Sequence, residues 1–304
     1  MSALKKHVPS DMSLLGRLPA GQPMYFGLKA DMPSLLDFWA TNGAGIFTGN
    51  EDYQKTVEKV LQMMKDVKLG QYATSVAVRK PEDNGSLAVV SLVEATPVGQ
   101  LRAIMQETAV GLASIEVSGV SQKATLTKDA EKYGEQSADM FTIKMSYPED
   151  QPGVEVQEQI LDWCYGKEGL TSRMVYLPDL MVQTTGGGRA NMEQALQALE
   201  EPADSEAPLA VARGKLLTKS NLVVLLDLPN LVVDVVAAIS ESGQLPIPVD
   251  PETLRGLDIP TSYLGTSVGT DPSGLRFRTH LSQGQLAGFA KLFTLFQQLQ
   301  RPDL

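Results

Sequence analysis

The sequence predicts an α+β fold, with mostly antiparallel sheets and helices on one side of them. Short apolar segments are joined by turn-rich stretches typical of β-hairpins, and longer segments show the 3.6-residue apolar periodicity of helices. The regular single-helix crossovers of a doubly wound parallel sheet are not seen in this pattern. One order of elements, namely strand, helix, helix, hairpin and helix, also occurs twice, which predicts a pseudo-duplicated architecture.

The internal repeat is carried by two pairs of segments. Residues 24–38 (MYFGLKADMPSLLDF) and 221–235 (NLVVLLDLPNLVVDV) share a short apolar strand, Asp-x-Pro and an apolar helix. Residues 74–92 and 266–281 share a strand, a turn rich in Pro, Asp and Gly, and a second strand. A Gly-Gln-Leu then opens a helix in each unit. Because the intervening loops differ in length while the order of elements holds, we interpret the pattern as a degenerate duplication.

The helices of the two units differ in length and in apolar content. The additional helix of the first unit is predicted within EDYQKTVEKVLQMMKDV, whereas its counterpart shrinks to DPETLRGL, where Asp250 is the expected cap. The helix that closes the second unit carries an apolar stripe of Leu286, Phe289, Phe293 and Phe296. We expect this stripe to face the core, and a groove for lipid or a protein partner is the alternative.

The repeat divides the chain into three segments. Residues 1–112 form the first α+β repeat unit, and residues 201–304 form the second. Residues 113–200 form a central strand-rich segment with helices, in which hairpins are expected around the glycine of SGV and around Pro178. An acidic connector with two prolines, LEEPADSEAPLA, is expected to be solvated where it leads into the second unit.

Composition excludes several classes of function. The formal net charge is −10, and the 26 basic residues form no cluster, so we expect no nucleic-acid partner. With one cysteine and two histidines, an intrachain disulfide and a cysteine-based zinc site lack ligands, and we expect no metal and no cofactor. The longest apolar run is interrupted by Asp227, Pro229 and Asp234, so we expect no transmembrane segment.

The N-terminal residues bear on the compartment. The stretch MSALKKHVPSDMSLLGRLPAG contains lysines but no apolar core of a signal peptide. Two interpretations stay open at this point. The protein is cytoplasmic, or it is an extracytoplasmic protein of the periplasm or cell envelope whose export signal was removed.

Three consecutive glycines, Gly186, Gly187 and Gly188, precede Arg189 between a predicted strand and a predicted helix. Backbone N–H groups at such a helix start can bind phosphate, so an enzyme or sensor for a phosphorylated small molecule is one hypothesis. The run lacks the Gly-Lys-Ser/Thr of a phosphate loop, and Asn191 stands where a dinucleotide motif has its last glycine. We therefore favour a turn with Asn191 as helix cap, while Arg189 leaves anion binding open.

Candidate catalytic residues are few. The stretch GTSVG matches the hydrolase nucleophile pattern around Ser267, but a turn and another strand follow it rather than a helix. His280 lies in that next strand, where a catalytic-triad histidine is not expected. Asp31 and Asp227 recur in both Asp-x-Pro motifs and are interpreted as helix caps. We assign no catalytic residue, and a serine hydrolase remains a minor alternative.

The segment LRFRTHL alternates basic and apolar residues. Arg276, Arg278 and His280 are expected on one side of a half-buried strand, where they form a basic stripe. Such a stripe can bind an anionic ligand or a carboxylate, but we favour a solvated sheet face, which is ordinary for antiparallel strands. Alignment with the first unit places Leu87, Val89 and Ser91 at the equivalent positions, and none of these is basic.

The chain resembles exported bacterial α+β proteins of the planctomycete type, which have no known function and are often predicted lipoproteins. The resemblance rests on LPAGQPMYF, on the two Asp-x-Pro units and on the Thr-Ser-Val and Gly-Gln-Leu blocks. It implies an extracytoplasmic protein with no established catalytic residues. The expected function is a non-enzymatic binding or structural module of the cell envelope, with an unknown protein or a small anionic ligand as partner.

Overall fold

The computed structural model contains one eleven-stranded sheet, with the strands in the order β11-β10-β9-β1-β2-β3-β8-β7-β6-β5-β4. The structure describes residues 7–31, 51–82, 85–111, 113, 115–117, 120–148, 153–201, 207–242, 250–271 and 273–299. The strands are β1 (Met24–Leu28), β2 (Lys68–Glu82), β3 (Gly85–Thr96), β4 (Ile115–Val117), β5 (Val120–Tyr133), β6 (Gln136–Ser146), β7 (Leu170–Tyr176), β8 (Leu180–Gly186), β9 (Leu222–Leu226), β10 (Leu264–Asp271) and β11 (Gly274–Leu281).

A short 3-10 helix at Ser13–Arg17 precedes the sheet, and eight α-helices lie among the described residues. The α-helices are α1 (Glu51–Met64), α2 (Val98–Gly111), α3 (Val154–Tyr165), α4 (Gly188–Glu200), α5 (Pro208–Gly214), α6 (Leu228–Ser242), α7 (Pro251–Arg255) and α8 (Gln283–Leu299). No helix in the described part of the chain is long and apolar enough to cross a membrane.

The α+β class and the antiparallel sheet are confirmed. All neighbouring strands of the sheet pair antiparallel, which is the arrangement that hairpin connections produce. The predicted cap Asp250 accepts a hydrogen bond from the Thr253 N–H at 2.9 Å at the start of α7. The apolar helix expected after Asp31 lies outside the described residues.

The repeat is visible as a pseudo-twofold axis through the sheet. Strands β1 and β9 pair with Met24 opposite Leu226 and Leu28 opposite Leu222, so the axis passes between the central pair of the two strands. On one side of the axis β2 and β3 follow β1, and on the other side β10 and β11 follow β9. The two units therefore meet side by side in one sheet.

Helices pack on both faces of this sheet, whereas the sequence predicted helices on one side only. Neighbouring residues of β8 show it, since Val182 packs with Met192 of α4, whereas Met181 packs with Leu101 and Ile104 of α2. Adjacent residues of a strand point to opposite faces. We call these the α4 face and the α2 face. Because the central strands are apolar on both faces, each face needs a cover.

The central segment extends the sheet on one side only. Strands β8 to β4 continue from β3, the last strand of the first unit. In the second unit, β11 is the last strand, and among the described residues nothing pairs with its outer edge. The two units thus differ in what covers their last strand and closing helix.

Candidate functional site

The register of the sheet defines which residues of the two units are equivalent. Ser75 pairs with Tyr25 of β1, and Ser267 pairs with Val223 at the matching position of β9. The next strands then place Val90 opposite Ser75 and Arg278 opposite Ser267.

This register corrects the alignment made from the sequence by one residue. The basic residues Arg276, Arg278 and His280 are equivalent to Ala88, Val90 and Leu92, rather than to Leu87, Val89 and Ser91. The hairpin turns of the two units differ, since β2 and β3 have a register shift near their turn and β10 and β11 pair without one. A sequence alignment anchored on the turns cannot detect that difference.

Strand β3 is covered on its edge and on the α4 face. Its outer edge pairs with β8, from Ala88 opposite Gly186 to Glu94 opposite Leu180. Strand β11 has neither cover in the described structure. Its apolar side chains Leu275, Phe277 and Leu281 are 48%, 67% and 49% exposed. A large apolar residue that faces solvent on an open strand edge is a feature of interaction sites.

The closing helices differ in the same way. Leu101 and Ile104 of α2 are 6% and 5% exposed, whereas their counterparts Leu286 and Phe289 of α8 are 58% and 41% exposed. The α8 stripe continues with Phe293 and ends at Phe296, and both are exposed. The expectation that this stripe faces the core is wrong.

Helix α8 instead buries a neighbouring side, about 100° round the helix axis from the stripe, against α6 and α7. Leu292 and Leu295 join Val233, Ala237 and Leu254 in one buried cluster. On the same side, the Lys291 ammonium donates to the backbone oxygens of Leu257 and Asp258 at 3.0 and 2.8 Å. These contacts fix the orientation of α8 about its own axis.

A close approach between α8 and α6 also fixes their distance. A Cβ atom added at Gly288 would lie 2.7 Å from the Cβ of Pro229, so only glycine fits there without displacement. Rotation that buried the phenylalanines would move Gly288 away from this contact. The stripe is therefore held in an exposed position.

The basic side of β11 lies on the α4 face, because Arg278 is opposite the buried Ser267. Arg276 forms an ion pair with Asp271 at the hairpin turn, and the Arg278 Nη1 donates to the Leu216 oxygen at 3.4 Å. Hydrogen bonds from Ser273, and then the Arg276 guanidinium, lower the pKa of Asp271 to about 2. The strand therefore has a basic side, an apolar side and an outer edge with which none of the described residues pairs.

The glycine run forms the passage from β8 into α4. The φ angles of Gly186, Gly187 and Gly188 are 67°, 63° and 61°, a left-handed conformation that favours glycine. The Arg189 guanidinium is engaged, because it donates to Glu193 at 2.8 Å and to the Lys132 oxygen at 2.7 Å. It also lies over the Tyr133 ring, 4.5 Å from the centroid.

The structure does not bring the predicted site residues together. Strand β8, which leads into the glycine run, lies six strands away from β11 in the sheet order. At about 4.8 Å per strand, this separation is about 29 Å. A single small anion therefore cannot contact both Arg189 and the basic stripe of β11.

Ser267 lies in the interior of β10 and is fully buried. Its hydroxyl accepts from the Leu217 N–H at 3.1 Å and donates to the Arg278 oxygen at 3.3 Å. The strand continues into the hairpin, without the strand-to-helix turn of a nucleophile elbow.

Cys164 is half-buried, and burial raises the pKa of its thiol, which disfavours the reactive thiolate.

No group of three or more metal-ligating side chains occurs in the described ranges.

The residues that sequence reasoning missed are Leu275, Phe277 and Leu281, which were expected to be half-buried. One signal was present in the helix that follows them. Phe293 and Phe296 stand where the first unit has Thr108 and Gly111, so the closing helix of the second unit carries aromatic residues that its counterpart lacks.

Comparison with known proteins does not assign this surface. No protein-family model matches the chain, and no curated protein matches it at a significant level. Among solved structures, one described as "Structure of crystal form III of TP0453" aligns with 91% of this chain and 85% of that chain. The sequence identity is 8% and the TM-score is 0.39, which is too low to establish a shared fold.

Proposed function

We propose that this chain is a non-enzymatic protein-binding module. Its binding surface, named here the β11–α8 surface, consists of the apolar residues of β11 and the exposed stripe of α8. The proposal rests on one observation: the closing strand and helix of the first unit are covered by the rest of the chain, whereas among the described residues nothing covers those of the second unit. A cell-envelope location belongs to the same proposal, since it is what the family resemblance implies.

The aromatic content of the β11–α8 surface supports a protein partner. The chain has eight phenylalanines, and four of them, Phe277, Phe289, Phe293 and Phe296, are exposed on β11 and α8. Exposed aromatic side chains are enriched at protein interfaces, where they supply large contact areas at low cost in conformational entropy. The net charge of −10 makes copies of the chain repel one another, which opposes self-association through such an apolar surface.

Site-specific photo-crosslinking in the native cells tests the proposal. A benzophenone amino acid at position 293 is expected to form a discrete adduct, because Phe293 is exposed at the centre of the stripe. The matched control carries the same amino acid at Ile160, an exposed apolar residue of α3. The adduct partner, once identified by mass spectrometry, is then purified and its Kd for the chain measured.

Three outcomes of this experiment are decisive. An adduct at position 293 that is absent at position 160, with a Kd raised at least tenfold by Phe289→Ser, supports the proposal. Equal adducts at both positions, or none at either, contradict it. Fractionation of the same cells tests the envelope location separately, and a chain recovered only with the cytosol contradicts that part.

A further inference from the structure

We infer that the partner adds an antiparallel β-strand to the open edge of β11, and that this strand carries acidic residues on the α4 face and apolar residues on the α2 face. The inference rests on the proposed function and specifies its partner chemistry. It is argued from the covered unit of the same chain, from the charges of β11 and from the geometry of self-pairing.

The first unit shows what covers a closing strand in this fold. Strand β3 is followed in the sheet by β8, which pairs with it antiparallel over seven residue pairs. Met181 of β8 then reaches the α2 face, where it packs with Leu101 and Ile104. A strand added to β11 would pair in the same way with the backbone groups of its outer edge, which have no strand partner in the described part of the chain.

The apolar side chains of the added strand would find apolar neighbours on the α2 face. Phe277 pairs with Val268 and lies on the side of β11 opposite the arginines. By the pseudo-twofold relation, Leu286 and Phe289 of α8 correspond to the residues of α2 that contact β8. Apolar side chains of the added strand therefore complete the α2 face, as Met181 does in the first unit.

The charge of β11 sets the chemistry on the other face. In the first unit Ala88 and Val90 are buried apolar residues, whereas the second unit has Arg276 and Arg278 at these positions. The Arg276 side chain stays 66% exposed although it forms an ion pair with Asp271 at the hairpin turn. Opposite charges directly across two strands stabilise the pair, and like charges destabilise it. Acidic residues on the added strand are the complement of this face.

A second copy of the chain does not provide this complement. A closed dimer through β11 needs a twofold axis perpendicular to the sheet, so residues of one side oppose residues of the same side. Every register that overlaps six or more residues of β11 then places Arg276 or Arg278 opposite an arginine of the other copy. Self-pairing is disfavoured by these like charges. The occupant is therefore a different polypeptide.

Peptide binding to the purified full chain tests the inference. The probe is a nine-residue peptide of alternating glutamate and valine with blocked ends, and its control has lysine in place of each glutamate. Titration calorimetry is expected to show binding at least tenfold tighter for the glutamate peptide. A second control, with alternate backbone nitrogens methylated, is expected to bind at least tenfold more weakly, because it cannot form the strand ladder.

Charge reversal provides the matched variant. Arg276→Glu combined with Arg278→Glu is expected to invert the preference, so that the lysine peptide binds more tightly. Amide hydrogen exchange of the wild-type chain is expected to slow across β11 when the glutamate peptide is present. Failure of every peptide to bind, or a preference unchanged by charge reversal, overturns the inference. Binding to anionic phospholipid vesicles in place of the peptides, with loss on Phe293→Ser, also overturns it.

The two proposals fail differently. If the photo-crosslinked adduct at position 293 persists in the charge-reversed chain and the peptides do not bind, a protein partner is retained and strand addition is rejected. If no adduct forms at position 293, the proposed function itself is rejected. If the charge-reversed chain loses both the adduct at position 293 and the binding of the glutamate peptide, the proposed function and the strand addition are both supported.

Discussion

Gln285 and Asp227 meet in the interior of the second unit, where the Gln285 Nε2 donates to the Asp227 Oδ1 over 3.1 Å. The two side chains are 0% and 1% exposed. The same Nε2 donates to the Ser262 oxygen at 2.6 Å, and the Gln285 Oε1 accepts from the Leu228 N–H at 3.3 Å. One glutamine thus joins the first turn of α8 to the first turn of α6 and to the segment before β10.

Replacement of Gln285 is therefore expected to destabilise the protein. Gln285→Ala removes a donor from a buried carboxylate and leaves the Leu228 N–H without this partner, which costs about 2 to 3 kcal/mol of unfolding free energy. Urea denaturation measures the change. The control is Gln100→Ala, at the equivalent Gly-Gln-Leu position, where the side chain is half-buried. A loss of stability as large for Gln100→Ala as for Gln285→Ala would contradict this account.

The sequence predicted the repeat well because its signals are local. Thr-Ser-Val recurs at the same place of β2 and β10, and Asp227 caps α6 as expected, by accepting from the Asn230 N–H at 3.4 Å. The further bonds of Asp227 could not be predicted. They come from Gln285 and from the Ser262 N–H, which are distant in sequence.

The orientation of α8 could not be predicted for a different reason. The helix has two apolar sides, one with Leu292 and Leu295 and one with Phe289 and Phe293. Apolar periodicity identifies both sides equally well. Which of them is buried depends on α6 and α7, and on the presence of further strands beside β11. The apolar pattern of a single helix carries no information on these tertiary contacts.

The glycine run provides a test of backbone strain against packing. A Cβ atom at Gly187 would lie 2.9 Å from the Cβ of Ala88, and the φ angle of Gly187 is 63°. Gly134 has a similar φ of 59° but no atom within 4 Å of the same position. Gly187→Ala is expected to cost about 2 to 4 kcal/mol, and Gly134→Ala about 1 kcal/mol. Thermal unfolding of the two variants measures the difference, and equal costs would show that packing against β3 does not matter.

The half-buried carboxyl group of Asp234 is expected to make stability depend on pH. Desolvation raises its pKa from 3.8 to about 6, although Arg255 acts in the opposite direction. The folded protein then holds a proton that the unfolded chain releases, so the free energy of unfolding falls as pH rises from 3.8 to about 6. Asp234→Asn is expected to gain about 2 kcal/mol over wild type at pH 7 and nothing below the ordinary pKa.

Urea denaturation of both proteins at a series of pH values measures this difference. Each wild-type value is compared with that of Asp234→Asn at the same pH, which cancels the titration of all other groups. A constant difference between the two proteins across the series would rule out Asp234 as the titrating group.

The ion pair between Arg102 and Asp139 joins α2 to β6. The Arg102 Nε and Nη2 donate to the two carboxylate oxygens at 2.8 and 2.5 Å, and the carboxylate is 1% exposed. Arg102→Met is expected to cost about 3 to 5 kcal/mol, because it leaves a buried charge without its partner. Adding Asp139→Asn to this variant is expected to restore part of the loss, since it removes that charge.

A double-mutant cycle measured by urea denaturation tests this pair. The expected coupling free energy is about 2 kcal/mol, with the double variant more stable than Arg102→Met alone. Additive effects of the two substitutions would instead show that Asp139 is stabilised by other groups, of which the Asp129 N–H at 2.9 Å is one.

The difference between the two closing helices makes the last prediction. Leu101→Glu places a charge in the cluster of α2 with β8 and is expected to cost more than about 4 kcal/mol. Leu286→Glu, at the equivalent position of α8, is expected to change stability by less than about 0.5 kcal/mol, because that side chain is exposed. Melting temperatures of the two variants measure the contrast. A large loss for Leu286→Glu would mean that the stripe is covered in solution, and the β11–α8 surface would then not be available to a partner.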